Sequence, residues 1–164
     1  MRISLPYSRN KRYLTGIDWM ISALDHLTRK STGAGTASQI VLQLDSAISE
    51  NDLKNSLRQF AYEVPVLSGR SARDLNLAPY WRIPAETTRR VPEVSIHRPT
   101  SSRACLAEAV NTSLLDRNEY MAFHILRQKD TNEHFLAMTF DHRLLDARDA
   151  ETFFDTIQRY PDGM

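Results

Sequence analysis

The stretch Phe135-Leu136-Ala137-Met138-Thr139-Phe140-Asp141-His142-Arg143-Leu144-Leu145-Asp146-Ala147-Arg148-Asp149-Ala150-Glu151-Thr152-Phe153-Phe154 passes from an apolar run, through a short polar segment, into a pattern of helical period. The run from Glu133 to Phe140 predicts a buried strand. Ala150, Phe153, Phe154 and Ile157 then mark the buried face of a helix from Ala147 to about Tyr160. Between them lies Asp141-His142-Arg143-Leu144-Leu145-Asp146. A strand-to-helix junction can hold an imidazole rigidly while leaving one ring nitrogen open to a ligand, which makes His142 the candidate general base. Asp146, four residues on, is close enough to order the loop through hydrogen bonds or an ion pair. It also has a purely structural reading, as N-cap of the following helix with Asp149 at N3. The spacing alone is weak evidence: with five histidines, a His-x-x-x-Asp arises by chance about one time in three.

Working outward, Glu119–Arg127 is a second apolar-rich run, separated from the first by a stretch containing Lys129-Asp130-Thr131-Asn132. The pair reads as an antiparallel hairpin. Upstream, Leu106, Val110 and Leu114 are spaced by four and predict a helix from Ser102 to about Leu115. Four of the seven prolines fall between Ser68 and Pro99, so only short elements fit there, around Tyr80–Ile83 and Glu93–His97. Ser49 caps a helix striped by Leu53, Leu57, Phe60, Ala61 and Val64, which Pro65 stops. Gln39 to Asp45 is a strand with Ile40, Leu42 and Leu44 on one face and Val41 on the other. Near the start, Thr15 and Asp18 have capping-box spacing, and Ile17, Met20, Ile21, Leu24 and Leu27 recur at helical period before Ser31-Thr32-Gly33-Ala34-Gly35 ends the helix. The order predicts an α/β (α+β) class: one mixed, largely antiparallel sheet with helices packed on it, in a single domain over residues 1–164.

The 164 residues are 41% hydrophobic and 25% charged, with 21 basic against 20 acidic side chains. That near balance implies no basic face for nucleic acid. No segment approaches the roughly 20 apolar residues of a membrane span, and the first fifteen residues lack the apolar run of a signal peptide. The expectation is a soluble, cytoplasmic protein. The single cysteine, Cys105, excludes an intrachain disulfide; beside an apolar stripe and without a base partner, it reads as packing. A zinc site of His124, His134 and His142 would need all three on one face, so no metal is expected. The pair Arg89-Arg90 is too short for a binding patch and reads as solvated surface.

The stretch quoted first resembles the motif region of the chloramphenicol-acetyltransferase-like superfamily, which includes condensation domains of peptide synthetases, wax-ester and polyketide-associated acyltransferases, and the acyltransferase core of 2-oxoacid dehydrogenases. The shared signature is His-His-x-x-x-Asp-Gly, or Asp-His-Arg-x-x-Asp-Gly in the dehydrogenase cores. By resemblance His142 is the base and Asp146 the structural carboxylate, with Asp141 and Arg143 structural beside them. Ala147 stands where the signature has glycine; if that backbone position requires positive φ, alanine is costly there. The strand at 39–45, the helix from Ser49, and Val64-Pro65-Val66-Leu67 with Arg70 follow the order seen in condensation-type members, with Val64 in place of the histidine of their His-Pro-x-Leu-like turn. The resemblance implies an N-terminal lobe that transfers an acyl group from a thioester to a hydroxyl or amine. It implies no permanently bound cofactor; coenzyme A or a carrier protein's phosphopantetheine would carry the donor, and a C-terminal lobe or another subunit would supply the other wall, so that this short chain alone is expected to be inactive. Two other functions compete with this one: a non-catalytic condensation-like module that binds a carrier protein or partner, and a dimerisation domain whose interface covers His142.

Overall fold

The computed structural model describes residues 10–33, 35–99, 101, 103, 104, 106, 107, 120–128 and 132–159. Its centre is the strand carrying the apolar run. β7 (His134–Asp141) is buried along its whole length, because a neighbour pairs on each side: β2 (Ala37–Leu44) with Ala37 opposite Asp141, and β6 (Met121–Arg127) with Met121 opposite Phe140. Both pairings are antiparallel. β5 (Glu93–His97) completes the sheet in the order β2-β7-β6-β5, parallel to β6. A parallel neighbour needs a long crossover, and the helix expected between β5 and β6 lies in that connection. Arg103, Ala104, Leu106 and Ala107 are helical; the rest of that expectation, Cys105 included, falls outside the described residues.

The alternation of side chains across the strands divides this sheet into two faces. Phe123, Ile125, Leu136, Met138 and Phe140 point to one, where Leu53 and Leu57 of α2 (Glu50–Glu63) and Ala150, Phe153 and Phe154 of α3 (Ala147–Arg159) close the main core. Phe153 is wedged between Phe60, at 4.3 Å between ring centroids, and Phe123, at 5.5 Å. The opposite face carries Val41, Leu126, Phe135 and Ala137. The strand 39–45 thus divides its side chains as its alternation predicts, although it begins two residues earlier, at Ala37, and ends at Leu44. The side chain of Ile157, expected on the buried face of α3, is outside the described residues.

Two expectations are corrected. The strands form two sheets, not one: β1 (Lys11–Tyr13), β4 (Pro79–Arg82) and β3 (Arg70–Arg73) make a separate antiparallel sheet in the order β1-β4-β3. Its buried residue Trp81 packs with Val66 and Tyr120. Arg89 is not simply solvated surface: it is half-buried, donates from Nη1 to the Tyr62 carbonyl at 3.0 Å and lies over the Tyr62 ring, tying the chain before β5 to the end of α2.

The helix ends follow local chemistry. In α1 (Gly16–Thr32) the Thr15 hydroxyl accepts from the Asp18 amide while the Asp18 carboxylate accepts from the Thr15 amide, a reciprocal capping box that satisfies two otherwise orphaned donors. Gly33, at φ +77°, supplies the left-handed C-cap. Ser49 caps α2, and Pro65 turns its end into a 3-10 turn over Pro65–Ser68 that buries Val66 and Leu67.

Candidate active site

The segment 141–146 leaves the buried end of β7 and is pinned at four points. Asp141, 4% exposed, donates its amide to the Tyr120 carbonyl at 2.8 Å. Its carboxylate accepts from the Arg143 amide at 2.9 Å and from Arg143 Nε at 2.9 and 3.0 Å, and it is also bonded to Arg143 Nη2. The guanidinium lies 5.8 Å from the Trp81 ring centroid and 5.9 Å from that of Tyr120, which themselves meet edge to face at 4.9 Å. These bonds to Asp141, together with its charge, hold Arg143 in its charged form and raise its pKa above the usual arginine value against the opposing effect of burial. Leu145 is buried in the main core, while Leu144 packs against that core and against the Val66, Trp81 and Tyr120 cluster. The motif loop is therefore the seam between the two sheets.

Asp146 closes the segment. Its carbonyl accepts from Ala150 N at 3.0 Å and its Oδ1 from Asp149 N at 2.8 Å, while Asp149 Oδ2 faces the Asp146 amide at 3.4 Å. It is the N-cap of α3 with Asp149 at N3, the geometry of a capping box. Its carboxylate is spent on the backbone, and the ion pair at the motif runs from Arg143 to Asp141. Ala147 is the first residue of α3, in helical backbone rather than at positive φ. Alanine at this position therefore carries none of the strain that would demand glycine.

His142 is exposed on this pinned loop. Its Nδ1 lies 3.1 Å from the Leu145 carbonyl. A carbonyl only accepts, so Nδ1 carries the proton and the neutral ring's lone pair is on Nε2. The ring meets Phe140 edge to face, 6.5 Å between centroids. A base needs this combination of fixed tautomer, fixed orientation and free lone pair. The loop brings together the four residues singled out in the sequence, His142, Asp141, Arg143 and Asp146, with Asp146 as the N-cap its position suggested and Arg143 paired with Asp141.

Asp25, Trp81 and Tyr120 had no sequence signal. Asp25 of α1 is buried and accepts from Thr36 N at 2.9 Å, Thr36 Oγ1 at 3.2 Å and Arg29 Nε at 2.9 Å. It also lies within the field of Arg143. It braces the entry to β2, whose first residue pairs with Asp141. Trp81 and Tyr120 lie far from residue 143 in sequence, and no local spacing reports such a contact.

His134 is at the far end of β7 from the motif, roughly 25 Å along an extended strand. His124 Nδ1 is 3.2 Å from His97 Nε2 on β5. Neither approaches His142 as a metal site would require, and no group of three metal-ligating side chains occurs among the described residues. Two cavities, of about 60 Å³ beside Leu67 and Tyr120 and about 560 Å³ between Arg12, Val64 and Arg89, are not lined by His142. No helix among the described residues is long and apolar enough to cross a membrane.

No family model matches the sequence, and no curated protein matches it. Solved structures do. The first condensation domain of the calcium-dependent antibiotic synthetase, in complex with a substrate analogue, superposes with a TM-score of 0.68 at 15% identity, over 90% of this chain and 36% of that one. The condensation domain of the monacolin K polyketide synthase MokA gives 0.68 at 12% identity, over 94% and 35%. The X-domain from teicoplanin biosynthesis, in its complex with OxyB, gives 0.69 at 17% identity, over 95% and 33%. The chain has the fold of part of a condensation domain. It spans about a third of the length of the structures it matches.

Proposed function

We propose that this chain is the base-bearing lobe of an acyltransferase that moves an acyl group from a coenzyme A or carrier-protein thioester to a hydroxyl or amine. The observation that carries it is the 3.1 Å contact of His142 Nδ1 with the Leu145 carbonyl, which in the neutral ring places the lone pair on Nε2, on an exposed loop of a condensation-type fold. Nε2 would take the proton of the acceptor as its oxygen or nitrogen attacks the thioester carbonyl. The tetrahedral intermediate would then collapse with cleavage of the C–S bond, and the imidazolium would return its proton to the departing thiolate. Arg143 and Asp141 satisfy each other, so their role is to hold the loop. A second lobe or another subunit would complete the walls and supply the oxyanion donors.

A second reading, a condensation-like module that binds a partner without catalysis, is favoured by the likeness to an X-domain solved with OxyB. One experiment separates the two. With the second lobe or partner subunit present, acyl transfer is measured from an acyl-CoA and from an acyl-phosphopantetheine carrier, for wild type and His142→Ala, alongside carrier binding. The enzyme reading expects turnover that falls about 10²–10⁴-fold on substitution with binding retained. Turnover that survives His142→Ala overturns it, and carrier binding without turnover in the wild type supports the module.

A further inference from the structure

Beside the end of α2 lies the cavity of about 560 Å³ that His142 does not line. Its volume is within the roughly 300–1,000 Å³ of sites that hold small molecules. The floor is apolar, built from Val64, Pro65, Val66, Ile83 and Pro84. Val64, Val66 and Ile83 also belong to the cluster that packs Trp81, Tyr120 and Leu144, so the floor is fixed by the side chains that brace the motif loop. Four charged side chains stand around it: Arg12, Glu63, Glu86 and Arg89. They come from β1, the last turn of α2, the 3-10 turn over Glu86–Thr88 and the residue that follows that turn.

Two of these charges are positive and two negative, yet among the described residues no ion pair joins any of them. Arg89 is the sharpest case. The half-buried Arg29 and Arg143 each hold an aspartate. Arg89, also half-buried, has only the Tyr62 carbonyl, 3.0 Å from Nη1, and its buried Nε has no partner. A carbonyl does not neutralise a guanidinium, and Nη2 is left to a ligand. A carboxylate placed there gains a charge-assisted bond in a partly desolvated setting. The acidic side has open acceptors too: Glu63 commits one oxygen to Gln59 Nε2 at 2.8 Å, and no hydrogen bond occupies the Glu86 carboxylate.

We propose that this cavity binds a small apolar zwitterion, an apolar α-amino acid or a dipeptide of two. Its carboxylate would lie on Arg89 and Arg12, its ammonium on Glu63 or Glu86, and its side chain on the apolar floor. The charges of the lining sum to zero, which favours a ligand that carries both signs. A polyanion such as a nucleotide would meet two carboxylates as well as two arginines. A plain hydrocarbon would bury Arg89 further without pairing it. The site is separate from His142 and does not depend on the proposed function.

Isothermal titration of the full chain with L-leucine and with Leu-Leu tests it. The expected dissociation constant is about 0.1–1 mM; binding by either ligand supports the site, and their ratio gives the preferred length. N-acetylleucine lacks the ammonium and leucinamide the carboxylate, and each should bind at least about tenfold more weakly than leucine. Arg89→Gln should weaken binding by a similar factor. Because Arg89 also ties the chain to α2, a second variant leaves it in place: Ala85→Trp, at an exposed position of the lining, fills the cavity and keeps all four charges. It should abolish binding with the melting temperature unchanged. No binding of leucine or Leu-Leu up to about 10 mM overturns the proposal. Equal binding of N-acetylleucine, or binding that survives Ala85→Trp, also overturns it.

Discussion

Asp25 and Thr36 are eleven positions apart, yet one carboxylate joins the middle of α1 to the residue just before β2. Burial alone would push Asp25 above the usual carboxylate range. The Thr36 amide and then the Arg29 guanidinium outweigh burial and hold it below. Gly35 is part of the arrangement: it has φ +69°, and a β-carbon there would lie 2.5 Å from Asp25 Oδ1. Because the folded carboxyl titrates below its unfolded value near 3.9, its stabilisation is fully present above about pH 4 and is lost as the pH falls through the folded value. Asp25→Asn should therefore lower the urea midpoint clearly at pH 7. The gap from wild type should narrow as the pH falls from about 5 to 2. A gap of the same size at pH 7 and pH 2 would show that the amide of the variant disrupts packing and that the charge of Asp25 is not what stabilises the fold.

At the scale of elements, the junction between β7 and α3 leaves the His142 side chain exposed while its neighbours are held. Asp146 is the cap, and losing a cap of this kind costs about 0.5–2 kcal/mol. Asp146→Ala should lower stability by about 1 kcal/mol in chemical denaturation. Asp146→Asn keeps an accepting oxygen and should be nearly neutral. If the carboxylate only caps, acyl transfer by the Asn variant matches wild type. A loss of turnover with stability retained would give the charge a role beyond the helix end.

The cap was legible in the sequence, as were α2, β5, α3 and the β6–β7 hairpin, because each rests on residues close together in the chain: a capping side chain, a stop at Pro65, an apolar period. The elements that escaped were β1 and β3. Lys11-Arg12-Tyr13 and Arg70-Ser71-Ala72-Arg73 are short, charged and mostly exposed, and only their pairing with β4 makes them strands. The stripe of α1 was legible as a period, but the period cannot say which face turns inward. That was decided by the bonds of Asp25. The His142 tautomer was illegible for another reason: a backbone carbonyl accepts its proton, and every residue has one.

The whole molecule is two sheets of unequal burial joined at the motif. β7 has no exposed residue, whereas β1 is exposed throughout and β3 has a single half-buried residue, Ala72. The small sheet is held to the large one chiefly by Trp81 against Tyr120 and by the bond from the Ser71 amide to the Tyr120 hydroxyl, 3.2 Å. Regions with few buried apolar contacts open at lower free energy than the core. Native-state hydrogen exchange should therefore show the β1 and β3 amides opening through a partial unfolding, and those of β7 only with the global transition. Tyr120→Phe removes the hydroxyl but keeps the ring against Trp81. It should speed exchange at Ser71 and its neighbours in β3 while leaving β7 unchanged relative to global stability. If the two sheets exchange at one common free energy in wild type, they unfold as a single unit. Arg143, braced between Trp81 and Tyr120, would then be holding them together more firmly than their exposed strands suggest.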